Sequence, residues 1–182
     1  MEPRRKILCI LLVLVLIPVA GAAPLVVSIG DVTAAPGSTV TVPVSVTGAQ
    51  DLGSLDLAIA YDPAVLSILS VDRSSPGNGL FGSNTDRPGI ITVSIADPDG
   101  ISTDGSVAAL KFRVTGAAGN SSPLALYNIL AADVKTFREI PADGTDGSVT
   151  VKKTGIGSPG PGLPALLGTL VLAALLGKRR KP

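Results

Sequence analysis

Between residues 25 and 151 the chain runs in short segments whose apolar positions recur every second residue. In Thr39 to Val46, Val40, Val42, Val44 and Val46 alternate with Thr41, Pro43 and Ser45. Successive side chains of an extended strand point to opposite faces, so the four valines share one face. Pro43 carries no backbone donor, which predicts an edge position or a bulge there. Further strands are predicted at Leu25 to Ile29, Leu55 to Tyr61, Leu66 to Val71, Gly79 to Ser83, Ile90 to Ala96, Val107 to Val114, Leu124 to Leu130 and Ser148 to Val151. Nine short strands broken by Gly, Pro, Asp, Asn and Ser predict an all-β sandwich.

Turn chemistry sets the boundaries. Ala35-Pro36-Gly37-Ser38 and Asp97-Pro98-Asp99-Gly100 put Pro and Gly where turns need a fixed or a positive φ. At Asp62-Pro63-Ala64-Val65-Leu66, Asp before Pro reads as a helix cap and first position, predicting one short helical turn. No stretch keeps a helical period, and no internal repeat is visible.

The two ends follow other rules. Arg4, Arg5 and Lys6 precede the apolar run Ile7 to Ile17, and Pro18 and Ala20-Gly21-Ala22 follow it, so residues 1–22 read as a signal peptide cleaved after Ala22. The lone cysteine, Cys9, lies inside that run, which leaves the mature chain without a disulfide. Residues 154–162, rich in Gly and Pro, read as a flexible linker. In 163–182, an apolar run from Leu163 to Leu176 ends at Lys178, Arg179, Arg180 and Lys181. The run is shorter than the roughly 20 residues that cross a bilayer, and its basic end fits a cytoplasmic stop. The segment also resembles the C-terminal sorting signals read by archaeosortase-type transpeptidases, with Pro161-Gly162-Leu163 where those usually carry Pro-Gly-Phe. Either way, residues 24–153 are expected as one domain outside the cell, held at its surface through a C-terminal membrane anchor or sorting signal. Setting the termini aside leaves eight basic against thirteen acidic residues in that domain. Such a balance excludes a phosphate-binding surface, and with it a nucleic-acid partner.

Read in order, the domain resembles a type I-like cohesin. The resemblance rests on Val27-Ser28-Ile29-Gly30, on Pro36 through Val44, and on Leu55-Asp56-Leu57-Ala58-Ile59-Ala60-Tyr61-Asp62-Pro63-Ala64-Val65-Leu66, its most specific segment. It continues through Gly105-Ser106-Val107-Ala108-Ala109-Leu110-Lys111-Phe112 and Asp143-Gly144-Thr145-Asp146-Gly147-Ser148-Val149. The resemblance implies a nine-stranded jelly-roll β-sandwich whose sheet face docks a dockerin, a small calcium-loaded helical module, in the setting of polysaccharide degradation. It also implies partner contacts at Asp56, in the strand before Tyr-Asp-Pro, at Ser54 on the same face, and at Asp97 after the sixth strand. Asp56 alternates with Leu55 and Leu57, so it faces away from the core whether it binds a partner or only keeps the sheet soluble.

Catalysis is argued against by absence. The chain has no His, and the mature part has no Cys, which removes Ser–His and Cys–His nucleophile pairs and the commonest zinc ligands. A carboxylate pair could still cleave glycosides. Sugar clefts, however, call for aromatic platforms, and here Trp is absent and Tyr61 and Phe112 have core-like neighbours. Asp97, Asp99 and Asp104 do not follow the calcium-loop spacing, and turn use accounts for them, as it does for Asp143 and Asp146. No cofactor or metal is expected. Asn120-Ser121-Ser122 is a glycosylation sequon followed by Pro123. Three readings remain: a non-catalytic module docking a dockerin-type protein, a carbohydrate-binding module taking polysaccharide directly, and a structural surface-layer or adhesin domain.

Overall fold

A computed structural model describes residues 24–153, apart from Ser75. The predicted signal peptide 1–22, linker 154–162 and anchor 163–182 lie outside the described residues. Eleven strands follow in chain order: β1 Leu25–Ile29, β2 Asp31–Ala34, β3 Thr39–Thr47, β4 Leu52–Ala60, β5 Leu66–Arg73, β6 Leu80–Asn84, β7 Ile90–Ile101, β8 Gly105–Val114, β9 Ser121–Asp133, β10 Ala142–Thr145 and β11 Gly147–Val151. One sheet has the order β10-β1-β3-β8-β5 and the other β2-β11-β9-β4-β7-β6. The fold is an all-β jelly-roll sandwich, and no helix occurs among the described residues.

The alternation that predicted the strands also builds the core. Val42, Val44 and Val46 of β3 and Leu110 and Phe112 of β8 point inward from the five-stranded sheet. They meet Leu55 and Ile59 of β4, Ile91 and Val93 of β7, Leu124 of β9 and Val149 of β11. Burying each such side chain contributes about 1.5–3 kcal/mol. With no disulfide available, that burial carries the fold.

The count of nine is corrected to eleven by β2 and β10. Both are four residues long and pair in parallel with a single neighbour, β2 with β11 and β10 with β1. Ala142-Asp143-Gly144-Thr145 carries no apolar alternation, so only its partner makes it a strand. The chain changes sheet between β1 and β2 at Gly30 and again between β10 and β11 at Asp146, and the two crossings touch. A Cβ placed on Gly147 would stand 2.6 Å from the carbonyl oxygens of both Gly30 and Ile29. Gly147→Ala is therefore expected to cost about 1–3 kcal/mol through overpacking, read as a lower urea midpoint. An unchanged midpoint would show that the crossings part freely.

Pro43 lies in an interior strand, not at an edge. The neighbouring β1 reaches only as far as Val44, and the β3–β8 register shifts between Val44 and Ser45, which supplies the bulge. Asp97-Pro98-Asp99-Gly100, predicted as a turn, lies inside β7. Ala96 sits opposite Ser54 and Ile101 opposite Leu52, so four residues bulge out against Gly53 alone. Gly100 supplies the positive φ, 78°, that this detour needs. The Asp62 carbonyl accepts from the amides of Val65 (3.1 Å) and Leu66 (2.9 Å), and its carboxylate accepts from the Ala64 amide (2.8 Å). These bonds close a single turn between β4 and β5.

Candidate functional site

Asp56 is exposed near the middle of the six-stranded sheet. On its outer face it pairs with Ser94 of β7 on one side and Leu130 of β9 on the other. Two residues down β4, half-buried Ser54 pairs with Ala96 and Ala132. Ser54 and Asp56 thus share a face, as their spacing requires.

Leu130 comes to that face through a defect. Ala58 opposes Tyr127 and Asp56 opposes Leu130, so β9 carries an extra residue there, and Asn128 takes φ 51°. Asn tolerates the left-handed region better than most residues, because its short polar side chain bonds locally. The bulge shifts the phase of β9 by one residue, turning both Tyr127 and Leu130 outward while Leu124 and Ala131 stay buried. An Asn inside an otherwise apolar strand was the one signal of this in the sequence.

Other apolar side chains gather at the same end of the sheet. Leu80, opposite Ala96 on β6, is 78% exposed, and Phe137, in the loop after β9, is 85% exposed. Between them lies a groove of about 590 Å³, floored by Ser54, Ala96 and Ala132. The strand pattern gave no sign of Phe137, which sits in a polar run without periodicity.

Asp97 lines this groove but holds its carboxylate under the surface, with the residue 3% exposed. One oxygen, Oδ2, accepts from the amides of Asn78 (2.8 Å) and Gly79 (3.1 Å), and Oδ1 accepts from Asp99 (3.0 Å). Arg73 Nη2 stands 3.9 Å from Oδ2, and Nη1 of the same side chain donates to the Gly79 carbonyl. Burial alone would push the Asp97 carboxyl up, but the amides of Gly79, Asp99, Asn78 and Gly100 more than offset it and hold it below the usual carboxylate range. Asp97 therefore pins the segment leading into β6 rather than presenting a free charge.

The opposite wall is tied in a similar way. The Asp133 carboxylate accepts from the amides of Lys135 and Thr136, both at 2.7 Å, and the Thr136 amide in particular holds it below its usual range. Lys135 Nζ lies 2.8 Å from Asp51, a hydrogen-bonded ion pair that raises the lysine. The Phe137 amide donates to the Asp133 carbonyl (3.0 Å), leaving Phe137 at φ 54°.

None of the six strands contains a Lys or Arg. The opposite sheet exposes Lys111 and Arg113 on β8. Among the described residues no group of three or more His, Cys, Asp or Glu is gathered to hold a metal ion. Asp104 accepts from the Gly48 amide (2.8 Å) and Asp146 from the Leu126 amide (2.7 Å). Asp99 and Asp143 lie on exposed strand positions. Asn120 is exposed just before β9, far along the strand from the groove, and Ser122 of its sequon is fully buried, accepting from the Asp62 amide. Tyr61 and Phe112 pack edge to face in the core, 5.3 Å apart.

A family model described as the cohesin domain matches residues 25–151. Among solved structures, the chain is similar to a non-cellulosomal cohesin from the hyperthermophilic archaeon Archaeoglobus fulgidus, with 33% identity over 71% of this chain and 91% of that one and a TM-score of 0.65. It is also similar to the sixth cohesin of scaffoldin B from Acetivibrio cellulolyticus, solved in complex with a dockerin, with 28% identity over 71% of this chain and all (100%) of that one and a TM-score of 0.67. No curated protein matches the chain.

Proposed function

The chain belongs to the cohesin family, and from that premise we propose that it is a non-catalytic module that docks a dockerin-type protein on the outer face of its six-stranded sheet. The observation that carries this reading is the composition of that face. Asp56 is an open acid beside exposed Leu130, on a surface whose strands hold no basic residue. Contiguous exposed apolar side chains around a polar centre mark interaction surfaces on soluble domains. In this proposal Asp56 and Ser54 contact the partner directly, and Asp97 acts through the segment it pins.

Residues 1–22 direct export, 24–153 form the docking domain, 154–162 space it from the cell, and 163–182 hold it there. The order of basic, apolar and small residues in each terminus supports these assignments.

The test is capture of secreted dockerin-bearing proteins of the source organism on the immobilised chain, followed by titration. Asp56→Ala is expected to weaken a captured dockerin about 10- to 30-fold, the range of a residue central to an interface. Retention of soluble polysaccharide with no dockerin captured would instead establish direct glycan binding, for which exposed Phe137 and Tyr127 are the available aromatic platforms. Retention of neither would leave a purely structural surface domain.

A further inference from the structure

The acid excess of the domain, read from the sequence as excluding a phosphate-binding surface, is a sum over two ends that the strands keep apart. β11 stops at Val151, and the next amide, of Lys152, donates to the Ala34 carbonyl where β2 stops (2.7 Å). From Ala34 one turn leads into β3, whose first residue, Thr39, lies opposite Arg113, with Lys111 two residues along β8 on the same outer face. In the other sheet, Ser121 of β9 pairs with Thr150 at this end and Ala125 pairs with Ala60. Just beyond Ala60 the Tyr61 amide donates to the Gly89 carbonyl (2.9 Å), two residues from Arg87. Five of the eight bases, Arg87, Lys111, Arg113, Lys152 and Lys153, therefore collect at one end of the sandwich. All five are exposed, and none is paired with an acid among the described residues. The acids of that end are engaged locally: Asp62 accepts from the Ala64 amide (2.8 Å) and Asp86 from the Asn84 side chain (2.9 Å).

The other eleven acids and three bases lie in the middle of the sandwich and at its far end. Asp51, Asp99, Asp104, Asp133 and Glu139 gather at the far end, where Leu52 meets Ile101 and Asp133. Of the three bases, Lys135 is bound to Asp51, and Arg73 reaches toward Asp97. The domain is thus a dipole along its strands, basic where residue 153 leads into 154–182 and acidic at the opposite end.

We infer that the basic end is a contact surface for anionic lipid headgroups and seats the domain upright on the bilayer. The inference goes beyond protein docking and rests on the reading of residues 163–182 as the hold on the cell. Reach selects this end. The nine residues 154–162 span at most about 30 Å, and β4, also nine residues, is itself about 30 Å long. To bring the far end to the bilayer, the chain would have to double back over the whole sandwich. Charge selects the same end. Each Lys or Arg at an anionic membrane surface strengthens the contact about five-fold, and the field extends about 8 Å, a distance the short tether keeps within reach. The acids elsewhere are repelled by the same field. Lipid is favoured over an acidic glycan because the tether delivers a bilayer to this end. Charges around a blunt end do not form the stripe that a nucleic acid follows.

The test places the full 15N-labelled chain in lipid nanodiscs that carry a gadolinium chelate on some headgroups, made of phosphatidylcholine alone or with phosphatidylglycerol. With phosphatidylglycerol, line broadening is expected to centre on the amides of Arg87, Gly119 and Lys153 and to spare Asp104 and Phe137. In phosphatidylcholine alone, or in about 1 M salt, where the screening length falls to about 3 Å, broadening is expected to spread over the domain. A variant combining Lys111→Gln, Arg113→Gln, Lys152→Gln and Lys153→Gln changes only exposed side chains and leaves the basic residues 178–181 in place. It is expected to lose the excess broadening at this end at least about 10-fold. A chain that enters the discs but shows one pattern in both lipids, or the same pattern with and without the four substitutions, overturns the contact surface and leaves the anchor standing. That result together with shifts at Lys111 and Arg113 on adding alginate would give the end to an acidic glycan instead. A chain that stays out of the discs yet sediments with phosphatidylglycerol vesicles through these four residues, and not with phosphatidylcholine ones, would keep the surface and sink the anchor. One that does neither sinks both.

Discussion

Phe112→Ala is expected to lower the unfolding free energy by about 3–5 kcal/mol. Phe112 is fully buried on β8, opposite Val40 of β3 on one side and Ile68 of β5 on the other. Its ring meets Tyr61 at 5.3 Å with the planes inclined by 61°, an edge-to-face contact. Tyr61 follows directly on β4, so the contact joins the two sheets across the core. Truncation removes the transfer energy of the ring and leaves a void that surrounding valines cannot fill, because β-branched side chains have few rotamers to offer. The loss is a large share of the 5–15 kcal/mol that typically holds a domain, and here no disulfide shares the burden. A urea titration should show a lower midpoint with an unchanged slope, and Phe112→Leu should lose about 1.5 kcal/mol or less. A midpoint shift equivalent to under about 1 kcal/mol would mean that the core relaxes into the space, contrary to the packing described here.

The fold was legible wherever one strand's own alternation decides its burial, and illegible wherever a partner decides it. Val40 to Val46 announce a face by themselves, and nine strands were found by that signal. The four-residue β10 has no such signal, because its extended conformation is imposed by parallel pairing with β1. Pro98 and Gly100 read as turn residues and do make the chain detour, yet the strand resumes at Ile101, which only the register with Leu52 reveals. The site divides along the same line. Placing Ser54 and Asp56 outward needed only a period of two, and the structure sets both on one face. The apolar surroundings did not follow from that period. Leu130 is outward because a bulge at Asn128 shifts the phase, and Phe137 is displayed by a loop tied through Asp133 and Asp51. Asp97 shows the sharpest gap between residue type and role: an acid after a strand reads as exposed, whereas three amides and an arginine have drawn it under the surface.

Asp97→Ala is expected to destabilise the domain by about 3 kcal/mol, a size comparable to losing one member of a buried charge pair. Removing the carboxylate strands the amides of Asn78, Gly79 and Asp99 and leaves Arg73 Nη2 without its nearest anion. Arg73 is itself partly exposed, so water recovers some of its loss and keeps the figure below the upper end for fully buried pairs. The same bonds give a pH dependence whose sign is fixed. Because the carboxyl is held below its ordinary value of 3.8 in the folded state, the unfolded chain takes up its proton first as pH falls. The stabilisation is then fully present above that ordinary value and is lost as pH drops through the lower, folded one. Wild type and Asp97→Asn should therefore differ most in urea midpoint near neutrality and converge in acid. Asp133, held down in the same direction, contributes equally to both proteins and cancels from the difference. Parallel midpoints from pH 7 to pH 2 would show that the carboxylate stores no charge-dependent energy. Convergence together with weakened dockerin capture by the folded Asn variant would tie the pinned segment beside Leu80 to the shape of the docking face, since the Asp97 carboxylate is buried and bonded to the amides of Asn78, Gly79 and Asp99.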